Sequence, residues 1–189
     1  HVQADLQPKA GGHLKIKRLT DDIEILRWYG RMYNQREWDD RKIEMLKGES
    51  GLTSMTVPAA NPDKAIDVIG IPLAQPGYHV LELKSPQLGK SLLDPVQPMF
   101  VRTGALVTNL GLHFKLGQDN SLVWVTSLDK GRAVEGATVS VYSCQGTQLW
   151  SGRTDANGLA RIERPNLDRS SNDHCIAESG LFITARLDQ

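Results

Sequence analysis

The sequence lacks the long apolar run that a membrane-spanning helix requires. Its longest apolar stretches are only a few residues, whereas a helix needs about 20 to cross a bilayer. It also lacks an excess of charge of one sign, because 22 Lys and Arg are balanced by 22 Asp and Glu. Nucleic acids and membrane surfaces attract chains with clustered positive charge. We therefore expect no nucleic-acid partner and no direct membrane insertion by this chain.

The sequence lacks the short motifs that carry common chemistry. It has no GxSxG elbow, no phosphate-binding GxGxxG or GxxxxGK[ST] loop, and no HxxxH or HxH pair. The adjacent carboxylates at 21–22 and 39–40 favour helix caps, turns or solvated positions over an acid/base pair. The internal histidines are scattered over different predicted elements: His13, His79, His113 and His174. We predict that the chain is not an enzyme and has no catalytic residues, no bound cofactor and no metal site.

Cysteine is nearly absent, with Cys144 and Cys175 as the two thiols. In a reducing compartment they would be two buried small hydrophobes, and in an oxidising one they would pair. A zinc site formed with His174 is a third interpretation, but the ligand spacing gives it little support. The residues alone leave these alternatives open.

Short alternating strands separated by turn residues are the dominant pattern, and 17 Gly and nine Pro supply the turns. In residues 13–17, for example, Leu14 and Ile16 alternate with polar residues, as in a strand with one buried face. The fold class that this pattern predicts is all-β, with two tandem antiparallel β-sandwich domains. The predicted strands are 13–17, 41–47, 52–57, 65–73, 78–84, 105–116, 122–127, 138–143, 148–153, 160–163 and 175–187, the last interrupted near Gly180.

Two segments have mixed signals. Residues 22–33 begin with alternation but then lose phase, so either a β-bulge near Gly30 or a short helix explains them. Residues 36–47 carry charges near helical spacing, yet their second half alternates. We interpret them as a polar loop that leads into the strand at 41–47.

The domain boundary is predicted in residues 85–98, which contain three prolines. Proline cannot donate to a sheet ladder, so this stretch favours a connection between modules over a central strand. The predicted organisation is an N-terminal tail at 1–12, a first sandwich at 13–98 and a second sandwich at 99–189.

A family resemblance rests on blocks that occur in order along the chain. They are the closing strand G-Y-H-V-L-E-L-K-S, the proline-rich connector, and V-W-V-T-S-L-D-K-G-R-A-V-E-G-A-T-V-S-V-Y followed by T-D-A-N-G-L-A. The last block resembles the immunoglobulin-like modules of exported bacterial proteins. The whole chain resembles the macroglobulin domains of a bacterial α2-macroglobulin, and the resemblance is closest in the second module.

The resemblance implies a scaffold role in a peptidase trap. In that family, an attacking endopeptidase cuts a bait region, the domains rearrange, and a Cys-x-Glu-Gln thioester can attach to the captured enzyme. Neither Cys144 nor Cys175 begins that motif, so we expect the thioester and the bait region to lie outside this chain.

The same resemblance implies a location and a set of partners. It implies a periplasmic protein whose parent is lipid-anchored to the inner membrane, and this oxidising compartment favours a Cys144–Cys175 disulfide. The implied partners are the other domains of the parent, attacking endopeptidases and, as a further candidate, a cell-wall synthesis enzyme.

An aromatic cluster is the candidate interface. It consists of Trp28, Tyr29, Tyr33 and Trp38. Packing within the first module is one interpretation. A surface that faces a protein or a glycan is the other, because large aromatic side chains dominate interface hot spots.

Two other functions are alternatives to the peptidase trap. An immunoglobulin-like stalk of a surface adhesin would show near-identical repeats with a period of about 90–100 residues, and the two halves show no clear self-similarity. A β-sandwich hydrolase would need a convergent set of catalytic residues, which the sequence does not suggest.

Overall fold

The computed structural model describes residues 10–34, 38–59, 68–163, 167, 175–176 and 180–187. The elements, in chain order, are β1 (Ala10–Leu19), α1 (Asp22–Asn34), a 3-10 helix (Asp39–Lys42), β2 (Leu52–Pro58), β3 (Gly77–Ser85), α2 (Pro86–Leu92), β4 (Met99–Val107), β5 (Leu110–Lys115), β6 (Ser121–Ser127), β7 (Thr138–Ser143), β8 (Gln148–Arg153), β9 (Leu159–Ile162) and β10 (Leu181–Arg186). None of the helices in these residues has the length and apolar character needed to span a membrane.

The contacts divide the chain into two compact units. Unit 1 comprises His1–Thr20 and Gln35–Val107, and unit 2 comprises Asp21–Asn34 and Thr108–Gln189. This division differs from the predicted ranges 1–12, 13–98 and 99–189 in three ways. β1 already begins at residue 10, α1 belongs to unit 2, and β4 belongs to unit 1 because it pairs with β3 over all of its residues.

Unit 1 contains a four-stranded antiparallel sheet in the order β2-β1-β3-β4. Leu14 and Ile16 of β1 pack with Leu81 of β3 on one face, as the alternation predicted. Lys15 and Lys17 therefore point to the opposite face, where they form ion pairs with Glu residues of segment 39–50. Within the described part of unit 1, this is the one sheet.

The strand predicted at 41–47 is wrong. Residues 39–42 form the 3-10 helix and a turn follows, with Met45 and Leu46 almost fully buried. The backbone amides of Met45 and Leu46 bind the carboxylate of Glu82 instead of a neighbouring strand. The alternation in this segment does not correspond to its burial, because Ile43 is exposed and the two buried residues, Met45 and Leu46, are adjacent.

The linker predicted at 85–98 is also wrong. Ser85 ends β3, and its Oγ accepts a hydrogen bond of 3.2 Å from the amide of Leu88, which caps the short helix α2. Pro86 occupies the first turn of α2, where a proline is tolerated because no intrahelical donor is needed there. The chain then enters β4 of the same sheet, so segment 85–98 connects two neighbouring strands and not two modules.

Two further strand predictions need correction. The predicted strand 65–73 begins outside the described residues, and residues 68–73 form no strand, with Val68 93% exposed. The predicted strand 105–116 is divided between β4 and β5. The break lies at Thr108, whose Oγ1 accepts a 3.0 Å hydrogen bond from the amide of Leu110.

Unit 2 contains two three-stranded antiparallel sheets, β5-β6-β9 and β10-β7-β8. Val139 and Val141 of β7 are fully buried in a core that both sheets supply. The other buried members of this core are Val123, Val125, Ala137, Ala160, Ile162 and Leu167. The all-β antiparallel fold class is confirmed.

The turn between β8 and β9 is stabilised by local hydrogen bonds. Oδ1 of Asp155 accepts hydrogen bonds from the amides of Asn157 at 2.8 Å and Leu159 at 3.0 Å. Gly158 adopts a left-handed φ of 73° at the corner. The final strand is shorter than predicted: Cys175 and Ile176 lie outside any strand, and β10 begins after Gly180.

The mixed segment 22–33 is helical, so the short-helix interpretation is correct and the β-bulge is not. Oδ1 of Asp21 accepts a 2.8 Å hydrogen bond from the amide of Glu24, which caps the first turn. Asp22, Leu26 and Gly30 are buried and recur every four residues, so one face of α1 is buried.

Candidate functional site

Asp22 is the centre of a buried polar cluster in unit 2. Its Oδ2 accepts hydrogen bonds from the hydroxyl of Tyr142 at 2.9 Å and from Oγ1 of Thr184 at 2.7 Å. Its Oδ1 accepts a bond from Nε of Arg186 at 2.9 Å, and a second from Nη2. We call these four residues the Asp22 cluster. Both oxygens of the carboxylate are occupied, and the guanidinium balances its charge.

The strand register explains why these donors meet. Thr184 and Arg186 are two residues apart on β10, and Tyr142 of β7 lies opposite Phe182. Side chains alternate along strands, so these residues share the face opposite the apolar core formed by Val139 and its neighbours. β7 is therefore buried on both faces: one meets the core, and the other meets the first turn of α1.

Tyr142 is perturbed by this environment. Burial raises the pKa of its hydroxyl above 10.0, and the hydrogen bond to Asp22 raises this pKa further. Both effects have the same physical origin: a phenolate would lose solvation and would face a carboxylate. Tyr142 therefore remains a neutral donor to Asp22.

A second contact with α1 is formed by Ile176. The carbonyl of Ile176 accepts a 3.4 Å hydrogen bond from the side-chain amide of Asn34. A Cβ on Gly30 would lie 2.1 Å from that carbonyl oxygen, so only glycine permits this approach of the two backbones. The side chains of Ile23, Leu26 and Ile176 also converge beside Gly146 in the turn between β7 and β8.

The two cysteines are joined by a disulfide. Cys144 and Cys175 are bonded, with their Cα atoms 4.9 Å apart and 31 positions apart in sequence. The amide of Ile176 donates a 2.9 Å hydrogen bond to the carbonyl of Cys144. The bond thus holds Ile176 beside the end of β7. It also removes the zinc alternative, because neither sulfur is available as a thiolate ligand.

Unit 1 has its own buried charge centre at Glu82. This carboxylate accepts bonds from the amides of Met45 at 2.7 Å and Leu46 at 3.0 Å, and from Nε of Arg102 at 2.9 Å. Nη2 of Arg102 in turn donates to the carbonyls of Asp40, at 2.9 Å, and Ile43. Glu82 and Arg102 are direct partners in the register of β3 and β4. The pair therefore holds segment 39–46 against the sheet.

Lys15 and Lys17 support the same segment. Nζ of Lys15 lies 2.5 Å from the carboxylate of Glu44, and Nζ of Lys17 lies 3.2 Å from that of Glu49. The hydrogen bond from Lys15 is the main reason that the pKa of Glu44 lies below its ordinary value. These pairs are partly exposed, so each is expected to contribute little to stability.

The described residues do not assemble a metal site. No group of three or more His, Cys, Asp or Glu side chains in them could hold an ion. His13, His79 and His113 lie on β1, β3 and β5, and His174 is outside the described residues. Nε2 of His79 lies 2.9 Å from the carbonyl oxygen of Gln75, a local contact. The two charge centres have a structural role: the Asp22 cluster attaches α1 to the sheets of unit 2, and Glu82 attaches segment 39–46 to the sheet of unit 1.

A comparison with protein-family models matches residues 107–189 to the bacterial alpha-2-macroglobulin MG3 domain. These bounds coincide closely with the main segment of unit 2, which begins at Thr108. Residues 107–189 are similar to this macroglobulin domain. This match supports the family predicted from the sequence. The matched residues contain the disulfide and the Asp22 partners Tyr142, Thr184 and Arg186, whereas Asp22 itself lies outside them.

Two solved structures resemble this chain. A crystal structure of native alpha-2-macroglobulin from Escherichia coli, spanning domains NIE-MG1, is 15% identical, with a TM-score of 0.59, and the match covers 95% of this chain and 80% of that one. A second, spanning MG0-NIE-MG1, is also 15% identical, with a TM-score of 0.53, and covers 94% and 52%. No curated protein matches.

The family model and the structures point to different domains of the family. The model matches an MG3 domain, whereas the two crystal structures span domains named NIE and MG1. At 15% identity the structural likeness establishes the fold alone. The assignment of unit 2 to MG3 therefore rests on the family model.

The predicted aromatic interface is divided between the units. In α1, Tyr29 and Tyr33 stack with ring centroids 6.4 Å apart, and the guanidinium of Arg31 lies 4.8 Å from the ring of Trp28. Tyr29 is 40% exposed and Trp28 is buried. Trp38 belongs to unit 1 and is 48% exposed. Its role as an interface, and that of the other three, stays a prediction.

The residues of the two charge centres were missed at the sequence level. Asp21 and Asp22 were predicted to cap a helix, lie in a turn or stay solvated; Asp21 caps α1, but the buried role of Asp22 was not anticipated. Glu82 stands in an otherwise apolar run of β3, and this isolated charge was the available signal. Their partners lie too far along the chain to be read from spacing.

Proposed function

We propose that this chain is a scaffold part of a peptidase-trapping bacterial alpha-2-macroglobulin and performs no reaction of its own. The match of residues 107–189 to a macroglobulin domain carries the proposal. In such a trap, the domains hold surfaces in defined positions until a bait segment is cut, and their interfaces then reorganise. Interfaces between domains of one chain are modest in area and suit such a change.

The use of charge in the two units supports the same role. Glu82 and Asp22 are buried carboxylates, and each is occupied by donors that belong to the fold. A catalytic carboxylate must instead remain open to a substrate proton. The sulfurs of Cys144 and Cys175 are joined to each other. Neither is available to form a thioester with a glutamine.

The place and partners follow from the family and remain part of the proposal. The protein acts in the periplasm, with its parent lipid-anchored to the inner membrane. It contacts the other domains of the parent, attacking endopeptidases and, as a further partner, a cell-wall synthesis enzyme. The disulfide supports an oxidising compartment. In cell fractionation, the parent should sediment with the membranes. In spheroplasts, added protease should degrade it. A parent found in the cytoplasmic fraction would contradict the proposed location.

A peptidase assay tests the trapping role. Chymotrypsin is incubated with this chain or with the full-length parent, and its activity is measured on a large protein substrate and on a small chromogenic peptide. The parent should lower activity on the large substrate only, because a trapped enzyme is shielded sterically. This chain alone should change neither activity. Inhibition by the chain alone, or a parent without effect, would overturn the proposal.

Matched variants of the parent connect the assay to this chain. Asp22→Asn removes the charge that Arg186 pairs with, whereas Glu135→Gln removes an exposed charge in the same unit. If correct positioning by unit 2 matters for trapping, Asp22→Asn weakens the shielding and Glu135→Gln does not. An equal loss of shielding in both variants would show that net charge, not positioning, is responsible.

A further inference from the structure

Helix α1 has an unusual connectivity. It belongs to unit 2, but the chain before it and the chain after it belong to unit 1. Its attachment to the sheets of unit 2 therefore depends on side-chain and backbone contacts rather than on sequence neighbours. The Asp22 cluster makes this attachment at the first turn, and Ile176 makes it at the last two turns.

The contact with Ile176 tolerates little displacement. A Cβ on Gly30 would lie 2.1 Å from the oxygen and 2.7 Å from the carbon of the Ile176 carbonyl, so the backbones are in direct contact. The Asn34 side chain bonds to the same oxygen. A shift of Ile176 by the width of an atom would remove both interactions, since hydrogen bonds and close packing are short-ranged.

Cys175 helps to fix the position of Ile176, together with the packing of the Ile176 side chain beside Gly146. Cys175 and Ile176 lie outside any strand, so no sheet ladder fixes them. They are held by the Cys144–Cys175 bond and by the hydrogen bond from the Ile176 amide to the carbonyl of Cys144. Cys144 directly follows β7, which is paired on both sides. The disulfide thus connects Ile176, which contacts Gly30 and Asn34 of α1, to the end of the paired strand β7.

We propose that the Cys144–Cys175 disulfide is a redox-sensitive lock on the docking of α1. In the oxidised state it holds Ile176 against Gly30. A dithiol opens the lock by supplying two electrons and two protons: the sulfur–sulfur bond breaks, Cys144 and Cys175 become thiols, and the dithiol becomes a cyclic disulfide. The end of α1 near Asn34 is then released, while the end near Asp22 stays attached.

Hydrogen exchange measured by mass spectrometry on the full chain tests the lock. The chain is compared in its oxidised form, after reduction with dithiothreitol, and as the Cys144→Ser/Cys175→Ser variant. Relative to the oxidised chain, the exchange rate of residues 25–34 should increase about ten times more than that of β6 and β9. This should hold both for the reduced chain and for the Cys144→Ser/Cys175→Ser variant. If exchange accelerated equally in residues 25–34, β6 and β9, the disulfide would be a general stabiliser of unit 2 and the proposal would be wrong. Unchanged exchange in α1 would also contradict the proposal.

A second pair of variants separates the contact from the bond. Gly30→Ala keeps the disulfide but places a methyl group against the Ile176 carbonyl, and it should accelerate exchange in residues 25–34 of the oxidised protein. Because alanine favours helix more than glycine does, an isolated helix would respond in the opposite direction. Arg27→Ala, at an exposed position of the same helix, should have little effect. Slower exchange in Gly30→Ala would show that the Ile176 contact does not hold α1.

Discussion

Arg186 and Asp22 lie 164 positions apart in sequence, yet Nε and Nη2 of the arginine both donate to one oxygen of the carboxylate. Asp22 is nearly buried, whereas 41% of the Arg186 side chain is exposed. The pair joins the first turn of α1 to the last strand of unit 2. Unit 2 thus uses a charge pair to attach a helix that lies outside its main continuous segment.

Two glycines with the same backbone conformation should differ in their response to substitution. Gly136 and Gly158 have φ values of 75° and 73°. A Cβ at Gly136 meets open space, whereas one at Gly158 would lie 2.5 Å from the carbonyl oxygen of Val125. Gly136→Ala should cost about 1–2 kcal/mol of unfolding free energy from backbone strain. Gly158→Ala should cost about 1–3 kcal/mol more from the clash, as measured by urea denaturation. Equal costs would show that the backbone at Gly158 relaxes.

Removing one partner of the Glu82–Arg102 pair should strongly destabilise unit 1. The two side chains are 1% and 7% exposed, so the remaining charge would be buried without its partner. Glu82→Gln is expected to cost about 3–5 kcal/mol of unfolding free energy. Unfolding of unit 1 in urea is monitored by hydrogen exchange in β3 and β4. Glu135→Gln in unit 2 is the control and should leave this unfolding unchanged.

The double variant tests whether this cost comes from the pair itself. Replacing both residues, Glu82→Met with Arg102→Met, removes both buried charges and should recover part of the loss. Recovery is incomplete because the amides of Met45 and Leu46 lose their acceptor. Strictly additive losses from the two single variants would contradict a direct interaction.

Alkaline pH should destabilise unit 2 through Tyr142. Burial and the bond to Asp22 raise the pKa of this hydroxyl in the folded state above 10.0. The proton is therefore held more tightly in the folded than in the unfolded chain. This contribution is complete below pH 10.0 and is lost as the pH rises through the folded-state pKa. Tyr142→Phe should flatten the decline in unfolding free energy above that pH.

The same variant has an effect at neutral pH. Tyr142→Phe leaves Oδ2 of Asp22 with one donor fewer and should cost about 1–3 kcal/mol there. Tyr29→Phe, at an exposed position of α1, should change neither the neutral-pH stability nor the alkaline slope. A steep alkaline decline that persists in Tyr142→Phe would assign it to other groups.

The disulfide makes a simple stoichiometric prediction. Protein produced in an oxidising compartment and unfolded without reductant should bind no thiol-specific label, because both cysteines are paired. After reduction it should bind label at Cys144 and at Cys175. Intact-mass spectrometry distinguishes the two states, and labelling at either cysteine before reduction would contradict the bond.

The sequence predicted unit 2 more closely than unit 1, for local reasons. The strands expected at 138–143 and 148–153 have those bounds in the structure. Their alternation was strong, and the turn that follows them is set by Asp155 and Gly158 through bonds between near neighbours. Such signals depend on residues a few positions apart, and a single sequence contains them.

Other features were determined by distant partners. The strand predicted at 41–47 does not form, because Glu82, more than 30 positions further along, accepts hydrogen bonds from the amides of Met45 and Leu46. The ambiguous segment 22–33 is helical, with Asp22 bound to Tyr142 at a separation of 120. Periodicity reports that a face is buried and does not report what buries it. The charge centres could therefore be identified only from the structure.

The most direct test of this account is a double-mutant cycle on Asp22 and Arg186, because its central claim is that buried charges attach segments to the sheets. The free energy of unfolding of unit 2 is measured for the unmodified chain, Asp22→Asn, Arg186→Gln and the double variant. Unfolding by denaturant is monitored by hydrogen exchange in β7 and β10. We expect a coupling of about 1 kcal/mol or more, reduced from that of a fully buried pair by the exposure of Arg186. Losses that add to within about 0.3–0.5 kcal/mol would contradict the claim.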